Sequence, residues 1–145
     1  MSYFFGNFRS IQRWVSTITP KAFWTRYTAS PSPNPSSSSS PSSSSLQVID
    51  VREREELISD GKLKRSIHLP LSDSGKWASM LHEGKSMSLS LSPSLPTVVV
   101  CAAGVRSERV AEFLSSQCKF ADVYNLEGGL KGLAREVGDW EKKEE

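Results

Sequence analysis

The first 49 residues contain no carboxylate, and Asp50 is the first acid in the chain. Arg9, Arg13, Lys21 and Arg26 are the only charged side chains before it, so the formal net charge of +2 conceals two different regions. Beyond residue 49 lie fourteen of the 18 basic residues and all 16 acids. Such a weakly acidic body lacks the electrostatic footprint of a nucleic-acid binder. Cysteine is scarce too. Two in 145 residues make no disulfide framework, and neither has the paired-cysteine or Cys/His spacing of a zinc site. Free thiols in a reducing compartment are the expectation. No stretch approaches the roughly 18 consecutive apolar residues of a membrane-spanning helix. The length has room for one ordinary domain.

What is present at the start is basic and aromatic. "MSYFFGNFRSIQRWVSTITPKAF" places Phe4, Phe8, Ile11, Trp14, Val15 and Ile18 on one face of a helix, with Arg9 and Arg13 away from it. An acid-free, hydroxyl-rich amphipathic segment has the composition of an organellar transit peptide, here over residues 1–29. The arginines rank the mitochondrion ahead of the chloroplast, although the serine content suits a plastid equally well. A disordered or membrane-surface arm is the alternative. Residues 30–45 are serine and proline with a single asparagine. They have no apolar surface to offset the entropy of ordering, so a disordered linker is expected. The folded domain is then residues 46–145.

In the body, "LQVIDV" (46–51), "SIHLP" (66–70), "TVVVC" (97–101) and "ADVYNL" (121–126) read as strands. The first and third are nearly unbroken apolar runs, as in strands buried on both faces. Helices are expected over "REREELIS" (52–59), burying Leu57 and Ile58, around Trp77–Leu81, over "RSERVAEFLSSQ" (106–117), and from the Glu127-Gly128-Gly129 turn to about Val137. Residues 84–96 fit no element well: Met87, Leu89 and Leu91 alternate like a strand, but the serines and prolines favour a loop. Strands alternating with helices predict a three-layer α/β domain with a mainly parallel sheet, whose ligands sit beyond the carboxyl ends of the strands. Cys101 occupies one of those ends.

A cysteine of ordinary pKa, about 8.5, is only slightly ionised at neutral pH and needs positive potential to act as a nucleophile. The helix opening near Arg106 supplies free N–H groups and the positive end of its dipole. Ala102, Ala103, Gly104 and Val105 are small enough to curl with their amides inward, as an anion-binding nest. Arg106 adds a charge. The bland reading of Cys101 is a buried inert thiol, and that of Arg106 is a pair with a nearby carboxylate. Asp50 and Arg52 read as a structural ion pair. Cys118 is a core residue at the far end of the helix. His68 and His82 have no spacing that suggests a ligand or base.

"CAAGVRS" resembles the active-site loop of the rhodanese (sulfurtransferase) superfamily. "VIDVREREEL", "GKLKRSIHLP" and "DVYNLEGGLKGL" resemble its other conserved segments in the right order, over roughly residues 46–138. The resemblance implies that Cys101 accepts a sulfane sulfur from a donor such as thiosulfate. The persulfide then passes that sulfur to cyanide, a thiol or a protein acceptor. It further implies that the loop of Ala102, Ala103, Gly104, Val105 and Arg106 cradles the sulfur and its anionic substituent. Arg106 would bind donor or stabilise the thiolate, and Ser107 would contribute a hydroxyl. No metal or organic cofactor is implied. Four residues separate Cys101 from Arg106, whereas related cysteine phosphatases resemble Cys-x5-Arg, so sulfur transfer is favoured over phosphate ester hydrolysis or arsenate reduction. Two departures stand out. Arg65 occupies the position of a turn glycine. The serine run abuts Leu46 where the family has a first strand and helix, so the sheet can lack its N-terminal edge strand. An open edge would suit the rival reading, a catalytically idle module that binds a protein partner.

Overall fold

A computed structural model describes residues 15–29 and 45–143. Its strands are β1 (Val15–Ile18), β2 (Gln47–Asp50), β3 (Ser66–His68), β4 (Thr97–Val100) and β5 (Val123–Leu126), in one sheet of order β1-β5-β4-β2-β3. Every pairing is parallel. The helices are α1 (Pro20–Ala29), α2 (Arg54–Asp60), α3 (Ser74–His82), α4 (Val105–Gln117), α5 (Gly129–Val137) and the short α6 (Trp140–Lys143). The apolar runs of β2 and β4 are buried along their whole length, as a sheet covered on both faces requires.

Successive side chains of a strand point to opposite faces, and the two faces build two cores. On one, Ile49, Val99 and Cys101 meet Trp77 and Leu81 of α3 and Val110, Phe113 and Leu114 of α4. On the other, Val48, Val98, Val100 and Leu126 meet Phe23 and Tyr27 of α1 and Leu130 and Leu133 of α5. This is the expected three-layer α/β domain. Asp50 and Arg52 form the expected structural pair: buried together, they meet at 2.8 Å, and Arg52 also donates to the Gly61 carbonyl.

The expected start of the domain at Leu46 is corrected by β1 and α1. Three of the four residues of Val15–Ile18 are β-branched, a composition that suits a pleated strand better than a helix. Thr19 then caps α1 by accepting the Ala22 N–H at 3.2 Å, and Pro20 takes the first helical position, where its missing N–H costs nothing. β1 pairs with β5 from Val15↔Val123 to Ile18↔Leu126, and the Glu127 N–H donates to the Ile18 carbonyl at 2.9 Å. The N-terminal edge strand is therefore present, and β5 has a strand on each side. Arg65, the departure from the family glycine, lies 4.3 Å over the Tyr27 ring and donates to the Tyr27 carbonyl at 2.5 Å, which ties α1 to the segment before β3.

Smaller differences have local causes. Leu57 and Ile58 are adjacent on α2, about 100° apart, so both cannot face the sheet. Leu57 is half-buried and Ile58 is 76% exposed. Residues 84–96 hold a single 3-10 turn at Ser86–Leu89 within a loop and no strand. The expectations for residues 1–14 and 30–44 lie outside the described residues.

Candidate active site

Cys101 directly follows β4, and α4 begins four residues later. In that gap Gly104 takes φ 93°, a left-handed backbone that favours glycine, and serves as the residue before α4. The turn brings the loop back over the sulfur. The Gly104 N–H donates to Cys101 Sγ at 3.0 Å and the Ser107 N–H does so at 3.4 Å, while Ser107 Oγ lies 3.2 Å from it. Burial alone raises the thiol. The Ser107 hydroxyl and the Ser107, Ala103 and Gly104 amides more than offset this, and Cys101 is held below the ordinary range of a thiol. At Cys118, burial acts without such donors and pushes the thiol up to about 12. One thiol is set up to ionise and the other is not. Both are free.

The loop's carbonyls are held by the opposite helix. The first N–H groups of a helix have no partner within it. In α5, the Leu130 N–H donates to the Cys101 carbonyl at 2.9 Å and the Lys131 N–H to the Ala102 carbonyl at 3.0 Å. With its carbonyls anchored outward, the loop is left with amides to present to the sulfur. The Glu127-Gly128-Gly129 turn thus belongs to the site as well as to the chain path.

Each residue singled out in the sequence has a definite place. Cys101, Gly104 and Ser107 are buried, Ala102 is half-buried, and Ala103 and Val105 are exposed at the rim. Arg106 is held by Glu56 of α2 in a two-pronged pair, with both N–O distances at 2.8 Å and about a third of each side chain exposed. The Arg106 guanidinium is the main cause that holds the Glu56 carboxyl down to about 2, so the pair stays ionised across the neutral range. Glu56 also accepts the Glu53 N–H at the start of α2, which fixes its position. Arg106 therefore reaches the sulfur as a nearby fixed charge.

Sequence reasoning missed Glu56 and Asn125. Asn125 is the one polar side chain of β5; its amide nitrogen donates to the Gly104 carbonyl at 3.0 Å, and its oxygen accepts the Ser107 hydroxyl at 2.5 Å. An asparagine in an otherwise apolar strand, just before the Glu-Gly-Gly turn, was the available signal. Among the described residues no cluster of His, Cys, Asp and Glu could hold a metal ion, and no helix is long and apolar enough to cross a membrane.

Comparison with known proteins agrees with this geometry. The chain is 37% identical over 91 residues to the Rhodanese-like/PpiC domain-containing protein 12, chloroplastic, of Arabidopsis thaliana; the match takes in 63% of this chain and only 28% of that relative. A rhodanese-related protein of Thermoplasma volcanium superposes with a TM-score of 0.56 at 27% identity, covering 84% of this chain and 93% of its own. A single-domain sulfurtransferase of Saccharomyces cerevisiae shares the fold, with a TM-score of 0.60 at 16% identity over 90% and 98% of the two chains. Residues 38–136 match the family model of the rhodanese-like domain, and a match over that much of the sequence, with the cysteine loop at the carboxyl end of a parallel sheet, makes this chain a member of the rhodanese-like domain family.

Proposed function

We propose that the chain is a sulfurtransferase that carries a sulfane sulfur on Cys101. The observation that supports this most is the convergence of the Gly104 and Ser107 amides on Cys101 Sγ in a loop of four residues. A loop of that size surrounds one sulfur and a small anionic substituent. The thiolate attacks the outer sulfur of a donor such as thiosulfate, the S–S bond of the donor breaks, and sulfite leaves with the electron pair. The persulfide formed is held by the same amides. An acceptor, whether cyanide, a thiol or a protein thiol, then attacks the outer sulfur, and the Cys101 thiolate is released with its electron pair. Sulfur moves, no net electrons do, and the cycle calls for no redox cofactor. The rival reading of an idle partner-binding module drew on an edge left open by a missing first strand, and β1 supplies that strand by pairing with β5.

The full chain incubated with thiosulfate and cyanide is expected to release thiocyanate, and without cyanide to gain one sulfur atom on Cys101 by mass spectrometry. Cys101→Ser should reduce turnover to background. No persulfide with thiosulfate, mercaptopyruvate or a persulfide donor would overturn the enzyme reading; turnover that survives Cys101→Ser would overturn the mechanism.

We further propose plastid targeting. The Arabidopsis relative is named as chloroplastic, and this reverses the ranking that arginine content suggested. Residues 15–29 are structural, so the address is assigned to residues 1–14. A reporter fused to residues 1–14 is expected in plastids. A mitochondrial or cytosolic signal would refute the assignment.

A further inference from the structure

The Ser107 hydroxyl sits between two groups that compete for its single proton. Its oxygen is 3.2 Å from Cys101 Sγ and 2.5 Å from the side-chain oxygen of Asn125. The Asn125 amide cannot turn over to relieve this, because its nitrogen is committed to the Gly104 carbonyl at 3.0 Å. A reversed amide would set oxygen against that carbonyl. With the Asn125 oxygen fixed as an acceptor, Ser107 must donate to it, and the thiol must then be the donor in the remaining contact. The resting relay therefore runs from Cys101 S–H to Ser107 Oγ, and from Ser107 O–H to Asn125 Oδ1.

Ionisation breaks that order. The S–H bond loses its proton to water, the electron pair stays on sulfur, and the thiolate now needs donors. Ser107 can supply one only by turning its proton away from Asn125, which strands a buried acceptor. If Ser107 keeps its bond to Asn125, the thiolate has only the loop amides. Either arrangement costs about one hydrogen bond that the thiol form does not lose.

We propose that Asn125 is a positioning residue that sets how readily Cys101 ionises, by holding the Ser107 hydroxyl proton away from the sulfur in the resting state. It touches no reacting atom and acts through Ser107. The assignment deepens the sulfur-transfer reading by giving the nucleophile a built-in brake. The charged groups around the loop are paired elsewhere or exposed to solvent. Arg106 of α4 is paired with Glu56 of α2. Asp50 at the end of β2 and Arg52 just beyond it close on each other. Glu53, just before α2, accepts hydrogen bonds from Ser72. Lys131 of α5 and Glu127 before it have exposed side chains. None of these contacts passes through Asn125.

The test follows the ionisation of Cys101 and is independent of turnover. Rates of iodoacetamide modification at Cys101 are measured against pH in the full chain, with the modified peptide identified by mass spectrometry. Asn125→Ala removes the competing acceptor and is expected to lower the apparent pKa of Cys101 by about one unit. Below both values, the alkylation rate should rise roughly threefold rather than tenfold, because a less basic thiolate is a weaker nucleophile. Asn125→Asp keeps the acceptor, adds a negative charge and removes the donor to Gly104, so it should raise the pKa. In a Ser107→Ala background, Asn125→Ala should shift nothing. Shifts of the same sign in the two Asn125 variants, or an Asn125→Ala shift that persists without the Ser107 hydroxyl, would overturn the proposal. Loop disruption alone would move both variants in one direction. Opposite shifts in a protein that forms no persulfide would retain this role for Asn125 while removing the sulfur-transfer reading.

Discussion

A chain cut to residues 46–145 is expected to lose cooperative folding, whereas one that keeps residues 15–145 should melt as the full chain does. The cut removes Ile18, Phe23 and Tyr27, all buried, and leaves Leu126, Leu130 and Leu133 facing water. Burying a large apolar side chain contributes about 1.5–3 kcal/mol, so the three lost residues alone amount to about 5 kcal/mol or more. That is comparable with the whole stability of an ordinary domain, about 5–15 kcal/mol. The cut also strips β1 from β5, which exposes a row of unpaired backbone groups on an apolar strand and invites aggregation. Arg65 loses the Tyr27 ring and carbonyl in the same step. Circular dichroism melts and size-exclusion chromatography on the two fragments check this. If the 46–145 fragment is monomeric and melts within a few degrees of the longer one, β1 and α1 are dispensable.

This result also bears on what sequence can and cannot carry. The strand, loop and helix from Thr97 to Gln117 were legible because their signals are local: a β-branched run, small loop residues and a 3.6-residue apolar rhythm. The start of the domain was not. Its strand pairs with β5 at the far end of the chain, and composition cannot express such a pairing. Two of the four basic residues in that segment have structural partners: Arg26 lies 5.5 Å from the centre of the Tyr124 ring, and Lys21 is 3.8 Å from Glu136. A local signal did exist in Thr19-Pro20, a cap followed by a proline at the first helical position, but the amphipathic reading ran through it. The site divides in the same way. Cys101, Gly104, Arg106 and Ser107 sit within seven consecutive residues and were found together. Glu56 is fifty residues from Arg106, and Asn125 is 18 from Ser107, so each acquires its role only when the sheet assembles.

Gly129→Ala is expected to cost far more than Gly128→Ala, although the two glycines are neighbours with similar backbones, at φ 64° and 72°. Any alanine at a left-handed φ costs about 1–2 kcal/mol. For Gly128 that is most of the effect, since an added methyl would meet its nearest heavy atom, the Gly132 Cα, at 3.4 Å, an ordinary contact. At Gly129 the added carbon would lie 2.5 Å from the Cys101 carbonyl oxygen and from the carbonyl carbon and oxygen of Ala102. These are backbone atoms, held by the Leu130 and Lys131 amides, and they cannot rotate aside as a side-chain tip could. Either α5 or the cysteine loop must move. Forced overpacking of this kind adds about 1–3 kcal/mol, for a total of about 2–5 kcal/mol. The chemical effect should be larger than the stability loss suggests. A loop shifted by 1 Å no longer brings its amides onto the sulfur, and misplacement on that scale can reduce a rate about a hundredfold. Thermal melts of both variants, with alkylation of Cys101 at neutral pH and thiocyanate release, separate the two contributions. If the variants match in both stability and Cys101 reactivity, the close approach of α5 does not set the shape of the loop.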